Sequence, residues 1–173
     1  MDGTLRHVDP SLRTGPLARA YAAVAVTGVA RFVSRHVSWK LDPFLLRISG
    51  GRVSTTIFFP TAVLESVGAR SGEPRRNAII YFHDGDRVTI VASNAGDRCH
   101  PGWYHNLRSH PKVVFGGIRM HAVEITDVAE RDRLWTLADG VFPAFLRYRQ
   151  DAARVGRTIP ILQLRPGDRD EQP

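Results

Sequence analysis

The sequence predicts a mainly β, α+β fold, a β-barrel carrying peripheral helices and an N-terminal helix. Short strand-like runs alternate with turn signals that join them as hairpins, and helical periodicity appears only before and between those runs. Residues 1–15 are polar and punctuated by Pro and Gly, which reads as a frayed, flexible start. From Pro16 to about Trp39 the pattern turns helical, with an apolar run at Ala20–Ala30 flanked by Arg13, Arg19, Arg31, Arg35 and Lys40. Thr61–Val67 is a short apolar strand ending at Gly68. Residues 76–92 read as a hairpin turning at His83-Asp84-Gly85-Asp86. Pro101–Ser109 reads as a short helix with Pro at its start. Val113–Phe115 and Met120–Ile125 form a second hairpin through Gly116-Gly117. One long helix is expected over Ala129–Arg149, with Leu134, Leu137, Ala138, Val141 and Phe145 on a shared face, and a last strand over Thr158–Leu164. The resulting division is a flexible N-terminus and amphipathic helix at 1–38, a barrel domain at 39–165 and a charged tail at 166–173.

Apolar residues make up 43% and charged residues 24%, the composition of a soluble globular domain. Lys and Arg total 24 against 17 acids, a formal +7, and only Lys40 and Lys112 are not Arg. Such a surface attracts anions, whether nucleic acid, acidic lipid or a phosphorylated cofactor. Arginine favours bidentate contacts to phosphate and carboxylate, although a GC-rich genome gives the same bias. The apolar run at Ala20–Ala30 rises about 16 Å as a helix, short of a hydrocarbon core of about 30 Å, so no transmembrane span is expected. A signal peptide is disfavoured for want of a clean small-x-small cleavage site. The remaining readings are a helix docked on the body or a basic helix at a membrane surface. Cys99 is the single cysteine, so no intrachain disulfide forms, which fits a cytoplasmic setting.

Three segments are candidates for chemistry. In Val67–Asn77, two glycines permit tight turns while Arg70, Ser71, Arg75 and Arg76 supply donors, either as an anion nest or as a solvated basic hairpin. It lacks the P-loop spacing. In Val91–Leu107, the small residues Ala92 and Ser93 at a strand end would let a flat ring lie against the backbone, while Trp103 and Tyr104 are expected to point in different directions, one to the core and one to a pocket. His100, His105 and His110 stand five apart without a completing ligand, so no metal is expected. Phe142, Phe145 and Tyr148 follow an i,i+3 rhythm, either as core or as the apolar wall of a pocket. No Ser-His-Asp, paired-carboxylate or CxxC arrangement is present.

Together these segments resemble the deazaflavin (coenzyme F-420)-dependent nitroreductase family of actinobacteria. The family's Thr-Gly-Arg-Lys-Ser/Thr-Gly-x-Pro-Arg-x-x-Pro-Leu stands here as Val67-Gly68-Ala69-Arg70-Ser71-Gly72-Glu73-Pro74-Arg75-Arg76-Asn77-Ala78-Ile79. Its Ala-Ser-x-Gly-Gly and His/Asn-Pro-x-Trp-Tyr-x-Asn-Leu are matched by Ala92–Gly96 and by His100-Pro101-Gly102-Trp103-Tyr104-His105-Asn106-Leu107. Its Tyr-Pro-x-Tyr-x-x-Tyr and Arg-x-Ile-Pro correspond to Phe142–Tyr148 and Arg157–Pro160. The likeness runs from about residue 39 to 165.

The resemblance implies a split β-barrel (FMN-binding-like) that binds coenzyme F-420, an 8-hydroxy-5-deazaflavin, and passes its hydride to an organic acceptor such as a quinone or nitro compound. It assigns Arg70, Ser71, Arg75, Arg76, Asn77, Ala78, Ile79 and Ile80 to the cofactor's phosphate and tail side. Val91, Ala92, Ser93 and Asn94, with Gly102, Trp103, Tyr104, His105 and Asn106, would lie along the ring. Ser93 and Tyr148 would stabilise charge on the acceptor, and Phe142, Phe145 and Tyr148 would face it. Ala69 and Asn94 replace basic positions of the family, which implies a weaker hold on the phosphate, and Phe142 and Phe145 replace tyrosines, which makes the pocket more apolar and favours a quinone over a nitroimidazole. The alternatives are an FMN-dependent reductase and a non-catalytic binder of an apolar or tetrapyrrole ligand. Nucleic acid is not an expected partner. A homodimer and a peripheral contact with the inner face of the membrane through the N-terminal helix are compatible with the sequence.

Overall fold

The computed structural model describes residues 5–10 and 59–167. The expected N-terminal helix and residues 168–173 of the charged tail lie outside the described residues. Six strands form a closed antiparallel barrel: β1 (Thr61–Val67), β2 (Pro74–Asp84), β3 (Arg87–Val91), β4 (Lys112–Phe115), β5 (Ile118–Glu124) and β6 (Ile161–Pro166). Around the barrel they run β1-β2-β3-β6-β5-β4, and β1 closes the ring by pairing Leu64 with Phe115 of β4. Closure leaves no sheet edge to pair with another chain. The helices are α1 (Gly102–Ser109), α2 (Val128–Val141) and α3 (Ala144–Arg154).

Two apolar cores follow from strand alternation. Leu64, Ile79, Tyr81, Val88, Ile90, Phe115, Leu162 and Leu164 fill the barrel interior, which Trp103, Tyr104 and Leu107 of α1 help to close. Phe82, Val91 and Ile161 point outward and are covered by Leu134, Trp135, Ala138, Phe142, Phe145 and Tyr148. From Val88 to Val91, β3 is therefore buried on both faces, and Thr89 is the one polar residue of that stretch.

The single helix expected over Ala129–Arg149 is two helices. Pro143 has no N–H to donate and pushes the residue before it out of the helical region, and Phe142 accordingly sits at φ −136, ψ 93. The last strand begins at Ile161 rather than Thr158; the carbonyl of Pro160 still accepts from the Ala92 N–H at 3.0 Å. Residues 5–10, expected to fray, are held. The Val8 N–H donates to His83 Nδ1 at 3.0 Å, the His83 N–H donates to the Val8 carbonyl at 2.9 Å, and the Tyr81 hydroxyl donates to the Arg6 carbonyl at 2.9 Å. Leu5 packs over Gly116, where an added Cβ would meet its side chain at 2.4 Å.

The antiparallel order gives the barrel two unlike ends. The tight turns Gly85-Asp86 and Gly116-Gly117 share one end with the Leu5–Pro10 strap. The β1–β2 turn, the segment from Ala92 to Pro101, α1 and the α3–β6 loop share the other.

Candidate functional site

Among the described residues, the second end gathers the Arg-rich turn and the Ala92–Asn106 segment singled out in the sequence. In the β1–β2 turn the Gly68 N–H donates to the Glu73 carbonyl at 2.8 Å and the Gly72 N–H to the Gly68 carbonyl at 2.9 Å. Ser71 folds back over Gly68, where an added Cβ would meet its Oγ at 2.6 Å. Its hydroxyl accepts from the Glu73 N–H and from Arg75 Nη2, both at 3.3 Å. Asn106 of α1 ties the turn down: Oδ1 accepts from the Ala69 N–H at 3.0 Å and Nδ2 donates to Ser66 Oγ at 3.3 Å. Arg70 is exposed without an ion pair among the described residues, and Arg76 meets Glu65 across the ladder at 3.3 Å. Exposed pairs of this kind are weak and easily exchanged for an incoming anion.

Along β2 the predicted residues divide between faces. Ile79 faces the barrel interior, and by alternation Arg75 and Asn77 share its side. Arg76, Ala78 and Ile80 lie on the outer side, where half-buried Ile80 packs against the helix-covered core. Val91 is buried in that outer core, whereas Ala92 is buried in the inner one.

After β3 the chain makes an unusual turn. Asn94, Ala95 and Gly96 have φ of 47°, 52° and 76°, three successive left-handed residues of which only one is glycine. Non-glycine residues there cost about 1–2 kcal/mol each, and such strain concentrates at functional sites. The Asn94 Nδ2 donates to the Cys99 carbonyl at 2.9 Å, and the Gly96 N–H to the Ser93 carbonyl at 3.0 Å. Gly96 lies so close to α3 that a Cβ would meet the Tyr148 carbonyl at 2.9 Å. The Ser93 hydroxyl makes no cap hydrogen bond to this turn.

Trp103 and Tyr104 do not diverge as expected. Both are buried in the barrel core, because α1 lies as a plug over the barrel end rather than along its side. The Tyr104 hydroxyl donates to Glu124 Oε2 at 2.9 Å, and burial followed by that bond raises its pKa. Gly102 and His105 stay exposed on the helix. Phe142, Phe145 and Tyr148 come together although the helix breaks between them. Phe142 and Phe145 are 5.0 Å apart edge to face, and Tyr148 stands 6.0 and 6.5 Å from them. All three are buried.

Two residues absent from the expected site stand at its centre. Helix α3 ends in a Schellman cap: the Gly156 N–H donates to the Ala153 carbonyl at 3.0 Å and the Arg157 N–H to the Ala152 carbonyl at 2.9 Å, with Gly156 at φ 72°. The cap turns Arg157 inward, to 8% exposure. Its Nη1 donates to the Ala92 carbonyl at 3.3 Å and lies 3.2 Å from His100 Nδ1, and its Nη2 donates to the Ser93 carbonyl. Its Nε is buried without a partner among the described residues. Burial, then the adjacent Arg157 charge, lowers the pKa of His100, whose ring lies 4.9 Å from that of Tyr104. The sequence signal for Arg157 was a helix-stopping glycine followed by one cation before the apolar start of the last strand.

The arrangement offers hydrogen-bond donors and flat apolar surface, with no activated nucleophile. It suits an anionic ligand with a planar head, the head near Ala92–Asn94 and the charge at the Arg-rich turn.

A family model described as F-420H(2)-dependent quinone reductase matches residues 41–166. The chain is 33% identical over 146 residues to an F-420H(2)-dependent quinone reductase of Mycobacterium tuberculosis, covering 79% of this chain and 97% of the relative. A putative F-420H(2)-dependent quinone reductase of Mycobacterium bovis matches equally. Among solved structures, an F-420-H2-dependent reductase superposes with a TM-score of 0.53 at 28% identity, covering 61% of this chain and 93% of that one. Another, described as a domain-swapped dimer, superposes with a TM-score of 0.54 at 25% identity, covering 72% and 96%.

Proposed function

The chain belongs to the F-420H(2)-dependent quinone reductase family, and we propose that the barrel end bearing the Arg-rich turn and the Ser93–Gly96 turn is its hydride-transfer site. It is an oxidoreductase whose cofactor is the deazaflavin coenzyme F-420. When bound in reduced form, the deazaflavin supplies a hydride to the acceptor. The observation that carries the site assignment is the meeting, at one barrel end, of a cationic turn and a strained small-residue turn linked through Asn106 and α1.

Arg70, Arg75 and Arg76 bind the phosphate and acidic tail, Arg75 and Arg76 exchanging their weak surface contacts for charge-assisted bonds. Asn106 and Ser71 shape that turn through the bonds they already make. Ala92 and Ser93 offer backbone and a small side chain against the ring, and Asn94 holds the turn by its bond to the Cys99 carbonyl. In this reading the Ser93 hydroxyl donates to charge developing on the acceptor. Phe142, Phe145 and Tyr148 back the Ser93–Gly96 turn with an apolar wall, which suits a quinone better than a nitro compound. The basic sequence flanking Ala20–Ala30 supports a peripheral membrane contact, where quinones reside. No helix among the described residues is long and apolar enough to cross a membrane. Replacing Arg13, Arg19, Arg31 and Arg35 with Gln should abolish sedimentation with anionic vesicles, and undiminished sedimentation refutes that contact.

The decisive experiment is a fluorescence titration of the purified chain with oxidised deazaflavin, with flavin mononucleotide in parallel. Binding of the deazaflavin alone, followed by its reoxidation from the reduced form by a soluble quinone, is the expected result. Preference for flavin mononucleotide rejects the cofactor assignment.

A further inference from the structure

We propose that Arg157 is a positioning residue that fixes His100 as a neutral Nε2–H donor to an acceptor atom on the bound deazaflavin ring. This rests on the site assignment above.

Arg157 is a nearly buried cation with no carboxylate bonded to it among the described residues. A guanidinium in such a place is costly unless its donors are used. Its donors go to backbone carbonyls of Ala92 and Ser93, the two residues against which the ring is proposed to lie, and to His100. One planar group therefore sets the end of β3, the entry to the left-handed turn and the orientation of an imidazole. Lysine could not do this, since it presents no rigid fork.

The bond to His100 has a chemical consequence. Guanidinium nitrogen only donates, so Nδ1 must accept, and the ring proton of the neutral imidazole is then on Nε2. Protonating Nδ1 would destroy that bond and set two cations face to face. Every charged group around His100 enters this balance. Arg157, His105 and Arg108 disfavour the imidazolium, and only Glu124, occupied by the Tyr104 hydroxyl, favours it. Asp97 and Cys99 act on Arg157 instead. The net depression keeps the ring neutral above the ordinary histidine value of 6.5 and for some distance below it. Nε2–H has no partner among the described residues, so it is a fixed and unanswered donor, tied by one guanidinium to the ring-side backbone.

The test uses the full chain and two readouts. Nitrogen-15 NMR of the unliganded protein should show His100 as the Nε2–H tautomer, titrating below an ordinary histidine, and Arg157→Gln should move that titration up. Deazaflavin titration should show about tenfold weaker binding for His100→Phe and Arg157→Gln, and a change within about twofold for His100→Gln, whose amide N–H replaces the donor. Should Arg157→Gln fail to fold, the two His100 variants decide the matter. An Nδ1–H tautomer, a His100 titration indifferent to Arg157→Gln, or full affinity in His100→Phe overturns the proposal. An unsubstituted chain that binds no deazaflavin refutes the parent site assignment, an outcome distinct from equal binding by chain and variant.

Discussion

The two ends of the barrel are built from the same strands and treat polar groups in opposite ways. At the strap end, Asp84 accepts from both Arg133 Nη atoms, at 2.9 and 2.6 Å, and from Gln163 at 3.0 Å, while Gln163 accepts from Arg87 at 3.0 Å. Two-residue turns and Leu5–Pro10 close what remains. At the site end the backbone holds three consecutive left-handed residues, and Arg157 Nε is buried without a partner among the described residues. The strap end is tied by a side-chain network on Asp84; the site end carries backbone strain and a buried, unpartnered guanidinium nitrogen. That asymmetry supports the proposed site, because a fold tolerates local inconsistency mainly where a ligand resolves it.

The comparison can be broken most forcefully at Gly96. Gly96→Val puts a β-branched residue at φ 76° and its Cβ 2.9 Å from the Tyr148 carbonyl. It should cost about 3 kcal/mol in urea unfolding, more than any change to the exposed arginines. Replacing Arg70, Arg75 and Arg76 together with Ala separates binding from stability. Deazaflavin affinity should fall about tenfold or more and lose much of its salt dependence, while unfolding shifts by about 0.5 kcal/mol.

At the strap end the expected pattern reverses. Arg133→Ala should cost about 1 kcal/mol and leave deazaflavin affinity unchanged. Arg133 is the main cause holding the Asp84 carboxyl below the usual carboxylate range. A depressed acid contributes fully above its unfolded pKa and loses that contribution as pH falls through the folded value. The stability difference between parent and variant should therefore shrink on acidification, as urea unfolding across pH would record.

The smallest effect concerns His83, whose pKa is lowered by burial and then by His7, 4.5 Å away ring to ring. The neutral ring accepts the Val8 N–H, so the strap bond is present above the ordinary histidine value of 6.5 and is lost as pH falls through the lowered one. The protection factor of the Val8 amide, corrected for the intrinsic exchange rate, should fall on acidification while the thermal midpoint barely moves. An equal loss of protection in the Ser93–Gly96 turn would erase the distinction between the ends.

Much of this was legible in the chain. Gly85 and Gly116-Gly117 marked the turns, and β1 fell on Thr61–Val67 because alternation and Gly68 agree there. The Arg-rich turn and the Trp-Tyr-x-Asn-Leu segment were visible as motifs. The break at Phe142-Pro143 was missed because the apolar rhythm continues across it, and periodicity reports side chains rather than the lost N–H. The burial of both Trp103 and Tyr104 was missed because a helix plugging a barrel end can bury adjacent residues, whereas one lying on a flat face buries every third or fourth.

The sequence by itself determined the strands, their hairpins, the basic turn and the family likeness, since each depends on contacts or patterns within a few residues. Only the tertiary structure decided that β1 meets β4, that residues 5–10 strap one end, and that Arg157 reaches back 65 positions to Ala92. Those pairings depend on which faces remain to be buried once the barrel closes. Local propensity carries no record of that.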